Sequence, residues 1–524
     1  MSAVRVPSSH PPLLQNRLDI HDRKQFEIKL EYQPSGTDRP SRYQVEAWFF
    51  LPASLNVDAD TWPRADFYAD LHNYLRLKTP VFSLTEVLAA SHSPLLELER
   101  YVSGARRAEV DIVYEAKLLS CVFRGALRRF VQLVDGQCDA MERASQFDSG
   151  PFEEPVRAHM AQVREVLSRF RALMPKLEAA RPLEERTRAS LRLVDEYLSL
   201  SVEQFFRKAV TDMDALPRSG AFTELRKEIM AEVIEEETHR KQHQLRSVIS
   251  PTGDNEEYMH RIGFLKKFCM NILFLSVRRE DQRRNFEEAL FAVAAGIAMA
   301  FATGIAFWAQ ARFLQDSLNF FLILVVGYMM KDRIKEGLRR LFSRIAARHL
   351  YDRGTAIVDP VTKTRIGTLK EKMDYVAPSE LPEEVRRLRQ TDDFVTVSQG
   401  ELAETIIRYA KHIVLDPEQL PRAEDGVTGV TDIMRINVER LLRDMDDPET
   451  ALEYVDLEDF SVGRIRGAKS YQVDAVFRYA VEDEAAPRVS LQMVRLVLDR
   501  NGLKRMVRFE RPPLGEALPE RSVA

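Results

Sequence analysis

Residues Ala289 to Ala309 read ALFAVAAGIAMAFATGIAFWA, about 21 residues without a charge, which at about 1.5 Å per residue covers the ~30 Å hydrocarbon core of a bilayer. A core helix of a soluble domain presents a polar face within that length, and this one presents none. The stretch therefore reads as a membrane span. Downstream, Leu318 to Met330 (LNFFLILVVGYMM) is shorter, about 13 residues, against a lower limit of about 17 for a span. Extended back to Phe313 it nears that limit, with Asp316 at the headgroups, Lys331 snorkelling at the other end and Tyr328 suited to an interface. The expectation is a two-helix transmembrane hairpin.

Charge around the pair sets its orientation. Arg278, Arg279, Arg283 and Arg284 precede it, Lys331, Arg333, Lys335, Arg339, Arg340, Arg344 and Arg348 follow it, and the short connection holds only Arg312. Positive-inside bias then places a multi-pass protein in the cytoplasmic (inner) membrane, with N- and C-termini cytoplasmic and the hairpin tip outside. Along the first helix Ala292, Gly296, Ala300 and Gly304 form a stripe of small residues that lets another helix approach closely. The neighbouring helix of the same chain is the expected partner, and the same helix of a second copy is the alternative.

Two basic amphipathic stretches flank the hairpin. Ile262, Leu265, Phe268, Ile272 and Leu275 recur at helical spacing before it, and Ile334, Leu338, Leu341, Phe342, Ile345 and Leu350 after it. Periodicity alone leaves open whether lipid or protein covers those apolar faces.

Outside the membrane segment the period of the apolar residues changes twice. Phe26, Ile28, Leu30 and Tyr32, then Tyr43, Val45, Ala47 and Phe49, alternate around a turn-rich Pro34 to Asp38 and predict a β-hairpin, followed by a short helix near Phe67 to Leu77. Four helices follow, marked by Ile112 to Val134, Val156 to Leu177, Leu191 to Ala209 and Phe222 to Val233, with breaker-rich connections that suit an antiparallel bundle. The second has heptad-like spacing over about three heptads, the lower edge of what supports a coiled coil. Beyond the membrane segment, residues 352 to 376 predict a strand pair around Asp359-Pro360, and helices are expected near Leu381 to Arg389 and Ile433 to Met445. The end of the chain reads as a meander: Tyr471 to Val481, Val489 to Val497, a turn at Asn501-Gly502, and Leu503 to Phe509.

The fold class is thus a mixed α and β membrane protein, with an N-terminal β-hairpin region, a helical bundle, a transmembrane hairpin and a C-terminal α+β domain with an antiparallel sheet. The expected divisions are 1–104 (mixed β), 105–250 (cytosolic bundle), 255–350 (membrane hairpin with its amphipathic flanks) and 351–524 (cytosolic α+β), and residues 352 to 524 are expected to fold alone.

Composition narrows the function. A formal net charge of -4 over 524 residues leaves no strongly basic domain for nucleic acid. Only Cys121, Cys138 and Cys269 occur, without a C-x-x-C pair, so disulfide frameworks and zinc ribbons are excluded and a reducing compartment fits. Met1 to Asp19 carries no apolar run of the kind a secretion signal needs. Phosphate-binding loops, dinucleotide fingerprints and the Gly-x-Ser-x-Gly elbow do not occur.

One cluster has ligand-like spacing: Glu236, His239 and His243 share a helix face, as a zinc or carboxylate-bridged centre requires. The second Glu-x-x-His of a di-iron bundle and the His-Glu-x-x-His order of zinc proteases are missing, and the surrounding EEETHRKQHQ shows no apolar face. A solvated helix surface is the expectation, with no catalytic, cofactor or metal residue assigned. Asp392-Asp393 and Asp446-Asp447 read as solvated pairs. The expected function is a membrane-anchored, cytoplasm-facing interaction or assembly protein whose partners are the lipid bilayer and other proteins or copies of itself. A subunit of an oligomeric pore, with Asp316 and Asn319 near its mouth, and a membrane-bound enzyme of unrecognised type are the alternatives.

Overall fold

The computed structural model describes residues 15–33, 40–103, 112–143, 150–180, 183–215, 222–280, 282–312, 318–389, 404–420, 427, 429–456, 460–482 and 488–509. Both ends of the chain build one β-unit. Near the N-terminus lie β1 (Gln15–Asp22), β2 (Gln25–Tyr32), β3 (Ser41–Pro52), α1 (Arg64–Asp70) and β4 (Leu71–Leu77). The bundle follows with α2 (Leu84–Ala89), α3 (Pro94–Val102), α4 (Ile112–Arg143), α5 (Gly150–Ala180), α6 (Glu185–Asp214), α7 (Thr223–Gln242) and α8 (Glu256–Met270). Then come β5 (Ser276–Glu280), α9 (Gln282–Arg312), α10 (Leu318–His349), β6 (Arg353–Val358), β7 (Arg365–Tyr375), α11 (Glu383–Arg389) and β8 (Glu404–Leu415). The last elements are β9 (Val430–Asn437), α12 (Glu439–Leu442), β10 (Glu449–Val455), β11 (Val462–Ala468), β12 (Tyr471–Glu482), β13 (Arg488–Asp499) and β14 (Gly502–Phe509).

Among the described residues all strand pairings are antiparallel. An eight-stranded sheet runs β14-β13-β12-β3-β8-β7-β6-β5, and a four-stranded sheet runs β1-β2-β9-β4. The two alternating runs near the N-terminus therefore do not form a hairpin with each other: β2 pairs β1 and β9, while β3 pairs β12 and β8. The reason is visible in β3, which is buried on both faces. Tyr43, Val45, Ala47, Phe49 and Leu51 face the main core between the sheets, whereas Trp48 and Phe50 face a second core closed by Val385 and Leu388 of α11. A strand with two apolar faces belongs in the middle of a covered sheet, not at a solvated edge. The N-terminal and C-terminal stretches, separate in a linear reading, thus share both sheets.

Local differences have similar causes. The expected helix at Phe67 to Leu77 ends at Asp70 because Leu71 to Leu77 is taken up as β4 along β9. Ile433 to Ile436 is strand, paired on both sides by β2 and β4, and only Glu439–Leu442 turns helical. The four bundle helices, the strand pair around Asp359-Pro360, the helix at Glu383–Arg389 and the terminal meander form where the sequence places them.

The bundle is an excursion from the β-unit that returns to its starting point. The Leu275 N–H donates to the Leu75 carbonyl at 2.9 Å, joining the end of β4 to the start of β5. Leu119, Phe123 and Leu127 of α4, Phe170 of α5, Leu198 and Phe206 of α6 and Ile229 of α7 are buried in its core. The heptad-like helix α5 packs against α2, α3 and α6 inside this body. Leu265, Cys269, Ile272 and Leu273 are buried in the same core, so protein, not lipid, covers the apolar face ahead of the hairpin.

A second excursion leaves from the sheet edge. β5 and β6 are neighbours, with Glu280 opposite Gly354, and the whole of α9 and α10 lies between them. Among the described residues one helix, Glu288–Arg312, is long and apolar enough to cross a membrane, with mean hydropathy 2.1. It packs along α10, where a Cβ on Gly327 would stand 3.0 Å from Ile305 Cγ2. The α9 residues turned to α10 include Ala294, Ala298 and Ala309, all buried. Gly296 and Gly304 face away from α10, with open space where a Cβ would point. This corrects the expected pairing of the Ala292, Gly296, Ala300 and Gly304 stripe with the neighbouring helix, because an alanine face of α9 fills that role.

Candidate functional site

Helix α7 places Glu236 and His239 on one face, with His243 capping its C-terminus, and the fold turns that face toward α5 and α6. Glu236 is only 5% exposed. Arg171 of α5 holds it with two bonds, Nη1 to Oε1 at 3.0 Å and Nη2 to Oε2 at 2.7 Å, and gives its Nε–H to Asp195 Oδ1 of α6 at 3.0 Å. His239 Nε2 lies 2.8 Å from the other Asp195 oxygen. His243 donates from Nδ1 to the His239 carbonyl at 2.9 Å, and the two imidazole centres are 4.2 Å apart. The expected solvated surface is thus corrected for Glu236 and His239. Their partners sit on other helices, 65 and 44 positions away, where local periodicity gives no sign of them.

These charges hold one another in place. Burial works against the Arg171 charge, but Glu236 and Asp195 outweigh it and hold the guanidinium protonated above its ordinary range. Burial likewise opposes ionisation of Asp195, yet the hydrogen bond from His239 and the charge of Arg171 bring its carboxyl below the ordinary value. Beneath lies a second layer in which Arg240, fully buried, pairs with Glu203 and donates to Ser199 Oγ at 2.8 Å and to the Ser247 carbonyl at 3.0 Å. Burial pushes Arg240 down to about 10, still protonated at neutral pH. Glu196, also fully buried, accepts from Arg261 Nε of α8 at 3.0 Å. Buried pairs of this kind add little net stability against an apolar alternative, but losing one partner leaves a costly orphan charge.

Beside the cluster a cavity of about 490 Å³ opens between α5, α6 and α7, walled by Met174, Pro175, Leu183, Leu191 and Leu245. Its volume falls within the range of small-molecule sites. Arg188 at its rim is held by Glu178 at 3.0 Å and Glu185 at 2.6 Å, so most of the charge there is already matched. Asp195 orients His239 as a carboxylate orients the base of a catalytic triad, but the lining residues include no hydroxyl or thiol to activate. Among the described residues no group of three His, Cys, Asp or Glu side chains is placed to hold a metal.

Other polar residues resolve into structural roles. Between the two sheets Lys411 and Asp432, both fully buried, pair at 2.6 Å, and Tyr32 donates to Asp432 at 3.1 Å. Tyr409 donates to Glu371, which also accepts from Asn73 at 2.6 Å. Five strands are joined through this layer. Burial pushes the thiols of Cys121 and Cys269 up to about 12, which makes them poor nucleophiles. Asp446 pairs with Lys469 and Asp447 with Arg500 at the surface, while Asp392, Asp393 and Asp316 lie outside the described residues. Sequence reasoning missed Arg171 and Asp195, whose only signal was a charged residue at an otherwise ordinary helical position. No protein-family model, curated protein or solved structure matches the chain.

Proposed function

We propose that this chain is a membrane-anchored interaction or assembly protein, held by the α9–α10 hairpin with its folded body and both termini on the cytoplasmic side. The observation that carries the reading is the exposure of α9. Only 11% of its most apolar stretch is buried, and Val293, Ile297, Met299, Phe307 and Trp308 are each about half exposed or more. At about 25 cal/mol per Å² of apolar surface, a helix this bare is unfavourable in water and demands a cover, which a bilayer supplies. The arginines at the base of the hairpin support the orientation.

The interaction part of the reading draws on β10 and β11, a two-stranded ribbon outside both sheets. One face carries Leu452, Tyr454 and Ile465, all about half exposed, and the other is matched by Arg464 with Glu453 and Arg466 with Glu449. A lone ribbon is marginally stable in water, so a flat apolar face on one suits a protein partner. The pore alternative has less support, because α9 offers little polar surface beyond Thr303. Cell fractionation tests the anchor: the protein sediments with membranes, resists alkaline carbonate and is released by detergent, whereas recovery in the soluble fraction overturns the reading.

A further inference from the structure

The register of the hairpin says how it meets the bilayer, an inference that rests on the anchoring proposed above. Gly327 lies against Ile305, and the Arg339 guanidinium lies 4.8 Å from the centre of the Phe291 ring. These two contacts fix the antiparallel alignment. From Leu318 to Met330, α10 carries no charge and runs beside the apolar distal half of α9. From Lys331 to Arg340, α10 carries five basic and two acidic residues, and this run lies alongside Phe291 to Phe301, where α9 has no charge at all.

At one height the pair is therefore two-sided. Val293 and Ile297 of α9 expose an apolar face, while Arg333, Glu336 and Arg340 of α10 point to solvent. A pair standing upright would either draw the charged run of α10 into hydrocarbon or leave the proximal half of α9 bare. The distal apolar part common to both helices is about 13 residues, or about 20 Å, short of the ~30 Å core. A pair that is apolar on one side and charged on the other at the same height is amphipathic, and such a surface lies with its apolar side toward acyl chains and its charged side toward headgroups.

We propose that the hairpin enters the bilayer obliquely, with α9 beneath α10, so that α9 meets acyl chains along its whole apolar length and the basic outer face of α10 lies among anionic phospholipid headgroups. Charge complementarity selects this partner: the net positive run on α10 matches an anionic lipid surface, and the apolar face it borders continues into the membrane-inserted tip.

Single cysteines at matched heights test the proposal in the full chain, reconstituted into vesicles of phosphatidylglycerol and phosphatidylcholine and treated with a membrane-impermeant maleimide. The native cysteines are buried and serve as the unlabelled background. Ile297→Cys is expected to be protected and Glu336→Cys labelled, while Phe307→Cys in the distal half is protected. Protection at both 297 and 336, or labelling at both, overturns the oblique entry while the anchor stands. Labelling of Phe307→Cys overturns the anchor itself. In the same vesicles Arg333→Glu with Arg340→Glu is expected to raise labelling of Ile297→Cys by about fivefold or more, and unchanged protection of Ile297→Cys in this variant overturns the headgroup contact.

Discussion

Ala47, in the third strand of the chain, stands directly opposite Phe477, in the third strand from its end. The same Ala47 pairs with Tyr409 on its other side, so an N-terminal strand is the central member of a C-terminal sheet. Removing it splits the eight-stranded sheet and strips both cores. Residues 352–524 expressed alone are expected to give an unfolded circular-dichroism spectrum, and co-expression with residues 15–77 to restore strand signal. A cooperative thermal transition in the isolated segment would contradict the shared sheet.

What the sequence made legible were elements such as the alternation of Tyr471 to Val481, the helical period of Ile112 to Val134 and the charge-free run at Ala289, whereas the strands Gln15–Asp22, Glu404–Leu415, Glu449–Val455 and Val462–Ala468 went unread. What it concealed was the choice of partner. Nothing local in Phe26 to Tyr32 says that the strand pairs with Val430–Asn437, and nothing in Glu236 says that Arg171 will neutralise it. The two excursions, one closed at Leu75 and Leu275 and the other at Glu280 and Gly354, interrupt a single β-unit and make it look like two domains in a linear reading.

The pair of Arg171 and Glu236 is expected to act as a structural clamp. Glu236→Ala leaves the half-buried Arg171 guanidinium short of its closest counter-charge and should destabilise the protein by about 2 to 3 kcal/mol, with Arg171→Ala, which orphans the buried Glu236, costing about 3 to 5 kcal/mol and the double variant less than additive. Chemical denaturation measures this. A loss below about 1 kcal/mol, with a stoichiometric metal released by the change, would point instead to a ligand role for Glu236.

His159 stacks on Phe130 with ring centres 4.3 Å apart, and burial lowers its pKa from 6.5 to about 4. The unfolded chain therefore takes up a proton that the folded protein refuses. Its contribution is fully present above pH 6.5 and is lost as the pH falls toward 4. Between pH 7 and 5 the loss is about 1 to 2 kcal/mol, and His159→Phe should flatten this part of the profile. Parallel melting curves for wild type and variant across that range would refute the assignment.

Gly327 of α10 lies against Ile305 of α9, where a Cβ would stand 3.0 Å from Ile305 Cγ2. Gly327→Leu is expected to force the two helices apart and cost about 1 to 3 kcal/mol of hairpin packing. Gly296→Leu with Gly304→Leu projects into open space and should leave the monomer's stability in detergent unchanged. The reverse ranking of the two variants in thermal unfolding would show that α9 and α10 pack by the other face.

The most direct test of the account removes the hairpin from its socket. Glu280 and Gly354 already face each other in adjacent strands, so a short Gly-Ser linker can replace residues 282–349 and leave in place Asp352, which accepts from Tyr68 and the Met373 N–H, and Arg353, which stands opposite Glu371. The shortened protein is predicted to stay in the supernatant after membranes are sedimented and to keep the circular-dichroism spectrum of the helical and β body. Sedimentation with membranes by this shortened, folded protein would contradict the claim that the hairpin is what holds the chain to the bilayer.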